Sequence, residues 1–295
     1  MAPVLWTLYA EPLIRALGPG RVMQVGAGDG ELSLRLLDHC RQSGCRADII
    51  APRPAPGLKE KLEPFAAEHA YFELLPLKAM QMAEHPDLVL FDDEPNWWTV
   101  TEALTLMRRL AAERGGKFPV FLLRHTGWPY ARRDMYPKPE AVEDKHPFAY
   151  QGLGPDQPGL TEDGIDGRYA HALHEGGPKN GVLTAIEDFI ANAPIEIDFR
   201  ALPFFNGIGV LAPQSRMTKE LKAAIDGLAS PESLIEAGKA LEAETHRLRA
   251  QLAAAETRLA RRTQALKRAR DLIARQEAEI AALGQKSGAK PKAGG

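Results

Sequence analysis

Cysteine is almost absent from this chain, with only Cys40 and Cys45 among 295 residues. A single pair without a second one supports neither a disulfide framework nor a zinc knuckle, so reduced thiols in a cytoplasmic protein are expected. Long apolar runs are also missing. No window approaches the roughly 20 apolar residues of a membrane span, and the N-terminus lacks the basic segment and apolar stretch of a secretory leader. Neither sign of charge dominates, since 37 Lys+Arg against 39 Asp+Glu leave a net charge of −2. That balance hides an asymmetry. Ser215 to Gly295 carry 16 basic and 10 acidic residues, or +6, which leaves 21 against 29, or −8, for residues 1–214. An acidic main body argues against nucleic acid as partner, because phosphate binding rests on Lys and Arg. The basic end reads as a solvated helix face or a contact for an anionic surface.

The strongest positive signal is Val22-Met23-Gln24-Val25-Gly26-Ala27-Gly28-Asp29-Gly30, an apolar strand running into alternating glycines and then a helical pattern from Glu31. Glycines allow a sharp turn and close approach of backbone to ligand, and the following helix aims free N–H groups at the same place. The G-x-G-x-G spacing differs from the G-x-G-x-x-G of dinucleotide enzymes and points to S-adenosylmethionine before NAD.

Strand and helix patterns alternate up to about Pro213. Strands are expected at 21–25, 46–50, 71–75, 88–92 and 119–123, and helices at 31–41, 58–69, 77–83 and 100–114. This repetition specifies an α/β fold with a parallel sheet whose ligands sit at the carboxyl ends of the strands. Between Arg124 and Asn180 periodicity stops, and the aromatic anchors and paired arginines there suggest a lid or substrate segment. A helix at 182–191, with Thr184 and Glu187 at capping-box spacing, and a strand pair at 195–201 and 208–211 complete residues 1–213. A linker with a short helix, 214–232, leads to heptads over 233–284. Leu252, Leu259, Leu266, Ile273 and Ile280 form one seam and Leu241, Leu248, Ala255, Arg262, Ala269, Gln276 and Leu283 the other. These predict a coiled coil and a parallel homodimer. Residues 285–295 are expected to be disordered.

Candidate chemistry falls at strand ends. Asp92-Asp93-Glu94 place neighbouring carboxylates where one or more should have a raised pKa or face a cation: a metal, most suitably Mg²⁺ on oxygen ligands, or a cationic methyl donor. His125, after the fifth strand, is a candidate general base within plausible reach of Asp92. Arg132 and Arg133 offer planar forks for an anion, and Glu175 to Asn180 form a second glycine turn before a helix.

Three blocks together carry a resemblance: the glycine loop; Gly127-Trp128-Pro129-Tyr130 with Arg132-Arg133-Asp134; and Glu175-Gly176-Gly177-Pro178-Lys179-Asn180-Gly181-Val182. Over about residues 20–212 the chain resembles a bacterial family of class I S-adenosylmethionine-dependent methyltransferases grouped with glycan-modifying enzymes. The resemblance implies a Rossmann-like seven-stranded sheet, a cofactor over Gly26, Gly28 and Gly30 with Asp92 beside it, and methyl transfer to a small-molecule or glycan hydroxyl. Trp128, Tyr130, Arg132, Arg133, Glu175 and Asn180 are then candidates for substrate contacts, and Asp92 and His125 for catalysis. Departures are equally visible. Pro95 and Asn206 stand where the family tends to show histidine, Arg124-His125 replace its His-Asp, Gln24 replaces an acid before the glycines, and Ala51-Pro52-Arg53 follow the second strand where an acid would hold the ribose. A methyltransferase and a catalytically degenerate scaffold of the same fold, oligomerising through 233–284, are the two readings.

Overall fold

The computed structural model describes residues 2–287. The chain forms two compact units, residues 1–241 and 242–295. The first opens with an unforeseen helical stretch: α1 (Ala2–Leu5), a π-helical turn (Trp6–Ala10) and α2 (Glu11–Leu17), closed by Gly18 in the left-handed region. Leu5, Trp6, Tyr9, Leu13 and Ile14 are buried against the sheet.

Then follow β1 (Arg21–Val25), α3 (Glu31–Ser43), β2 (Arg46–Ile50), α4 (Leu58–Leu62), β3 (His69–Phe72), α5 (Pro76–Met82), β4 (Leu88–Phe91), α6 (Trp97–Glu113) and β5 (Val120–Arg124). The helix expected over 58–69 stops at Leu62 and passes into a 3₁₀ turn, Glu63–Phe65, because Pro64 cannot donate to a continuing helix. The third strand consequently begins at His69 instead of Tyr71.

The 124–180 segment carries β6 (Met135–Tyr136), β7 (Phe148–Ala149), β8 (Gly152–Leu153), β9 (Leu160–Thr161) and β10 (Ala170–Ala172), paired as a β6-β10-β7 sheet and a β8-β9 hairpin. After α7 (Val182–Asn192) come β11 (Ile197–Leu202) and β12 (Ile208–Pro213). The main sheet has seven strands in the order β11-β12-β5-β4-β1-β2-β3. Pairing is parallel except at β5-β12 and β12-β11.

Successive strand residues face opposite sides. Val22, Leu88, Val120 and Val210 lie in one core with the N-terminal helices and α3; Met23, Val89, Phe121 and Leu211 lie in the other with α5, α6 and α7. Both faces are covered, so the apolar side chains of β1, β4 and β5 are committed to packing. Polar function is left to the ends.

Cys40 and Cys45 are joined in a disulfide, which corrects the expectation of free thiols. Gly44, left-handed at the end of α3, turns the chain so that the two Cα atoms stand 4.5 Å apart, inside the range a disulfide spans.

α8 (Lys219–Leu228), capped by the Thr218 hydroxyl accepting from Leu221 N–H, precedes α9 (Pro231–Ser287). Ala237 of α9 is buried, and Leu241 packs on the same core. In the second unit the seam residues Leu248, Leu252, Leu259, Leu266, Ile273 and Ile280 are exposed on a single helix. The helix is present where heptads were read, and it continues through residues 285–287, where disorder was expected; the remaining tail, 288–295, lies outside the described residues.

Candidate functional site

The glycine loop, the end of β4 and the end of β5 converge at one edge of the sheet. Gly26, Gly28 and Gly30 all have positive φ, at 89°, 54° and 87°. Their reasons differ. A Cβ on Gly26 would collide with the Asp92 carbonyl, so this glycine is required by the protein's own packing, whereas one on Gly30 would meet only the end of the Leu58 side chain. A Cβ on Gly28 would meet nothing within 4 Å. Gly28 is therefore the one whose bareness faces outward and fits a ligand's approach. Beside it, buried Gln24 donates from Nε2 to the Gly26 carbonyl at 3.1 Å, while its Oε1 has no partner.

The β4-β5 register pairs Phe91 with Leu123, so Asp92 and Arg124 are neighbours one step beyond. Arg124 Nη1 donates to Asp92 Oδ2 at 2.9 Å, and His125 Nε2 lies 3.1 Å from Asp92 Oδ1. Burial pushes the Asp92 carboxyl up, but Arg124 and His125 outweigh it and hold it below its ordinary value. The pair expected from sequence is thus brought together, with an arginine added. His125 has φ 68°, and its Nδ1 is buried without a partner. Its ring meets the edge of Tyr130 at 5.4 Å, and Tyr130 stacks on buried His171 at 5.9 Å.

Asp93 and Glu94 turn away from Asp92 and are buried. Arg53 reaches them from beyond β2, pairing with Asp93 and donating to Glu94 Oε1 at 3.2 Å. Burial raises both carboxyls, with Arg53 pulling the other way. The cation facing the acidic cluster is therefore Arg53, and no group of three or more His, Cys, Asp or Glu among the described residues is placed to hold a metal ion. Sequence reading noted Arg53 and Arg124 only as departures. Clustered carboxylates at a strand end were the signal that nearby arginines would answer them.

The other substrate candidates make contacts of their own. Arg132 forks onto Glu187 at 2.5 and 2.7 Å and onto Thr184 Oγ1 at 3.0 Å. These contacts replace the capping box, since α7 begins at Val182 and no side chain caps it. Arg133 is buried, donating to the carbonyls of Ala172 and Pro158, and Glu175 stands 3.7 Å from it. Asn180 accepts from Asp134 N–H and donates to His174 and Gly176 carbonyls. Asp134 accepts from Trp97 N–H and Gly181 N–H, both at 2.7 Å, and from Tyr136 hydroxyl at 2.8 Å. Buried Tyr130 donates to Asp166 at 2.6 Å, and burial followed by that carboxylate raises its pKa. Trp128 alone of the substrate candidates presents an exposed aromatic face.

No protein-family model and no curated protein matches the chain. Solved structures similar to it include the SAH-bound methyltransferase of Podospora anserina, at 15% identity and TM-score 0.43, covering 72% of this chain and 78% of that one. A putative caffeoyl-CoA O-methyltransferase from Staphylococcus aureus matches at 10% identity and TM-score 0.43, over 70% and 82%. The Burkholderia thailandensis 1,6-didemethyltoxoflavin-N1-methyltransferase matches at 13% identity and TM-score 0.38, over 70% and 77%. At these scores the likenesses assign no residue a role.

Proposed function

We propose that this chain is an S-adenosylmethionine-dependent methyltransferase acting on a hydroxyl of a carbohydrate or other small molecule. The observation that carries the reading is the convergence, at one sheet edge, of a glycine loop open at Gly28 with an Asp92–His125 pair whose Nδ1 lacks a partner. Gly28 would leave room for the cofactor's approach, and a cofactor there would supply the methyl group. The ribose end has no carboxylate, because Arg53 occupies that stretch and is itself paired.

When bound, S-adenosylmethionine supplies an electrophilic methyl group. The chain's own residues supply the base. Ionised Asp92 accepts from His125 Nε2–H, which fixes the tautomer and leaves the Nδ1 lone pair to remove a hydroxyl proton. Arg124 neutralises Asp92 while His125 is uncharged, and the carboxylate then stabilises the imidazolium that forms. Holding acceptor and base together contributes through alignment as well.

Calorimetric titration with S-adenosylmethionine and S-adenosylhomocysteine tests this. Binding that is lost in Gly28→Val supports the reading; no binding to the parent chain removes it in favour of a scaffold of the same fold. The seam read at Leu241 packs on the chain's own core, but the exposed seam of α9 beyond it supports a second proposal, that 242–284 joins a second copy of this chain as a coiled coil, because isolated helices do not leave aliphatic residues at five successive heptads in water without a partner. Light scattering at micromolar concentration decides it, and a monomer overturns it.

A further inference from the structure

Beyond β5, an open groove of about 540 Å³ lies against the turn that joins β11 to β12. Its size is that of a small-molecule site. Thr126, Gly127 and Trp128 form one wall and Pro203, Phe204 and Asn206 the other, and no lining residue is charged. Trp128 and Phe204, 43% and 37% exposed, come from different elements and both line it.

The turn is built to hold Phe204 outside. Phe204, Phe205 and Asn206 all have left-handed φ, at 74°, 52° and 66°, a conformation that L side chains avoid unless the surroundings impose it. That backbone sends Phe205 into the core, edge-on to Tyr9, and leaves its neighbour in the groove. The imposing contacts are local. Gly127 N–H donates to the Asn206 carbonyl at 2.7 Å, and a Cβ on Gly207 would strike the Gly127 backbone. Arg124 ties the turn to the base: Nη2 donates to the Phe205 carbonyl at 3.1 Å, while Nη1 holds Asp92. Groove wall and Asp92–His125 pair thus share one guanidinium, and the groove starts one residue after His125.

We propose that this groove holds the methyl acceptor, and that the acceptor is an uncharged ring compound bearing a hydroxyl, stacked on Trp128 and Phe204. The proposal rests on the methyltransferase reading. A charged acceptor would lose hydration here with no counter-charge to replace it, whereas aromatic faces attract the flat, apolar side of a ring. The exposed Asn206 side chain provides the polar partner that orients it. A pyranoside and a phenol share this chemistry.

The test is saturation-transfer-difference NMR on the full-length chain without cofactor. The probes are a methyl pyranoside and 4-methylphenol, with glucose 6-phosphate and benzoate as charged counterparts. At least one neutral probe should bind about tenfold more tightly than its counterpart, and which one binds tells sugar from phenol. Trp128→Ala and Phe204→Ala should each weaken it by about fivefold. Trp128→Phe, which keeps an aromatic face, should retain binding and guards against loss through misfolding. Neutral probes that fail to bind, charged probes that bind equally, or binding untouched by both alanine variants overturn the proposal. Cofactor titration is read separately. Probe binding without cofactor binding removes methyl transfer and leaves the groove, while cofactor binding without probe binding removes the groove.

Discussion

Two polar clusters of this chain make opposite use of their side chains. In the segment after β5, Arg132, Arg133, Asp134 and Asn180 spend nearly all their hydrogen-bonding capacity on carbonyls, N–H groups and a helix partner within the protein. At the sheet edge, Gln24 Oε1, Arg124 Nε and His125 Nδ1 are buried without partners. Buried polar groups are normally satisfied by protein or by ordered water, so these three atoms are the ones at the sheet edge that a water or a ligand would still have to satisfy. The blocks around Arg132 and Asn180 are the most distinctive words in the sequence, yet their residues act as joinery. The sheet edge has a commonplace motif and the open valences.

The contrast can be broken by variants. Asp134→Ala should have the largest effect, a loss of about 4 kcal/mol or more, because it removes an acceptor shared by the starts of α6 and α7 and by Tyr136. Urea denaturation measures it, and a loss below 1 kcal/mol would deny the cluster after β5 its structural role. Arg53→Ala should cost about 3 kcal/mol at neutral pH by leaving two buried carboxylates unpaired. Its sign with pH follows from raised carboxyl pKa values in the folded state. Above about pH 4, where unfolded carboxyls have lost their protons, the folded variant still binds them. Its stability should therefore rise as pH falls from 7 to about 5, which denaturation at the two values checks.

His125→Ala and Asp92→Asn should leave the fold intact and cut turnover by about 100-fold, near 2.7 kcal/mol of barrier, once an acceptor is in hand. Full activity in both would leave the sheet edge only a positioning role. Glu175→Ala should change stability by less than about 0.5 kcal/mol, since its contact with Arg133 is long and its side chain is 41% exposed. A larger thermal shift would mean that the cluster after β5 reaches further than its hydrogen bonds indicate.

Much of the fold was legible in the sequence because strands buried on both faces read as apolar runs bounded by turn residues. Arg21–Val25 and Arg46–Ile50 stand where read. The start of β3 was misplaced because Pro64 broke a helix whose apolar spacing continued past it. The Thr184–Glu187 pair looked like a cap, but both side chains turn to Arg132, a partner 52 or more residues away that local spacing cannot reveal. Arg53 and Arg124 were missed for the same reason: ion pairs across strand ends depend on strand order, which pattern alone does not supply. The Cys40–Cys45 link was set aside because a lone pair makes no disulfide framework, whereas the left-handed Gly44 brings the two residues within reach of each other.

The glycine loop has a further consequence for how substitutions would be tolerated. Gly26 is answerable to its own chain, since any side chain meets the Asp92 backbone, whereas Gly28 is surrounded by open space. In a mutational scan scored once for soluble protein and once for cofactor retention, position 26 should fail both screens. Position 28 should fail mainly the second, apart from the modest cost of a left-handed side chain. On the proposed reading one glycine answers to folding and the other to a ligand, two demands that four letters of sequence, Gly-Ala-Gly-Asp, write identically.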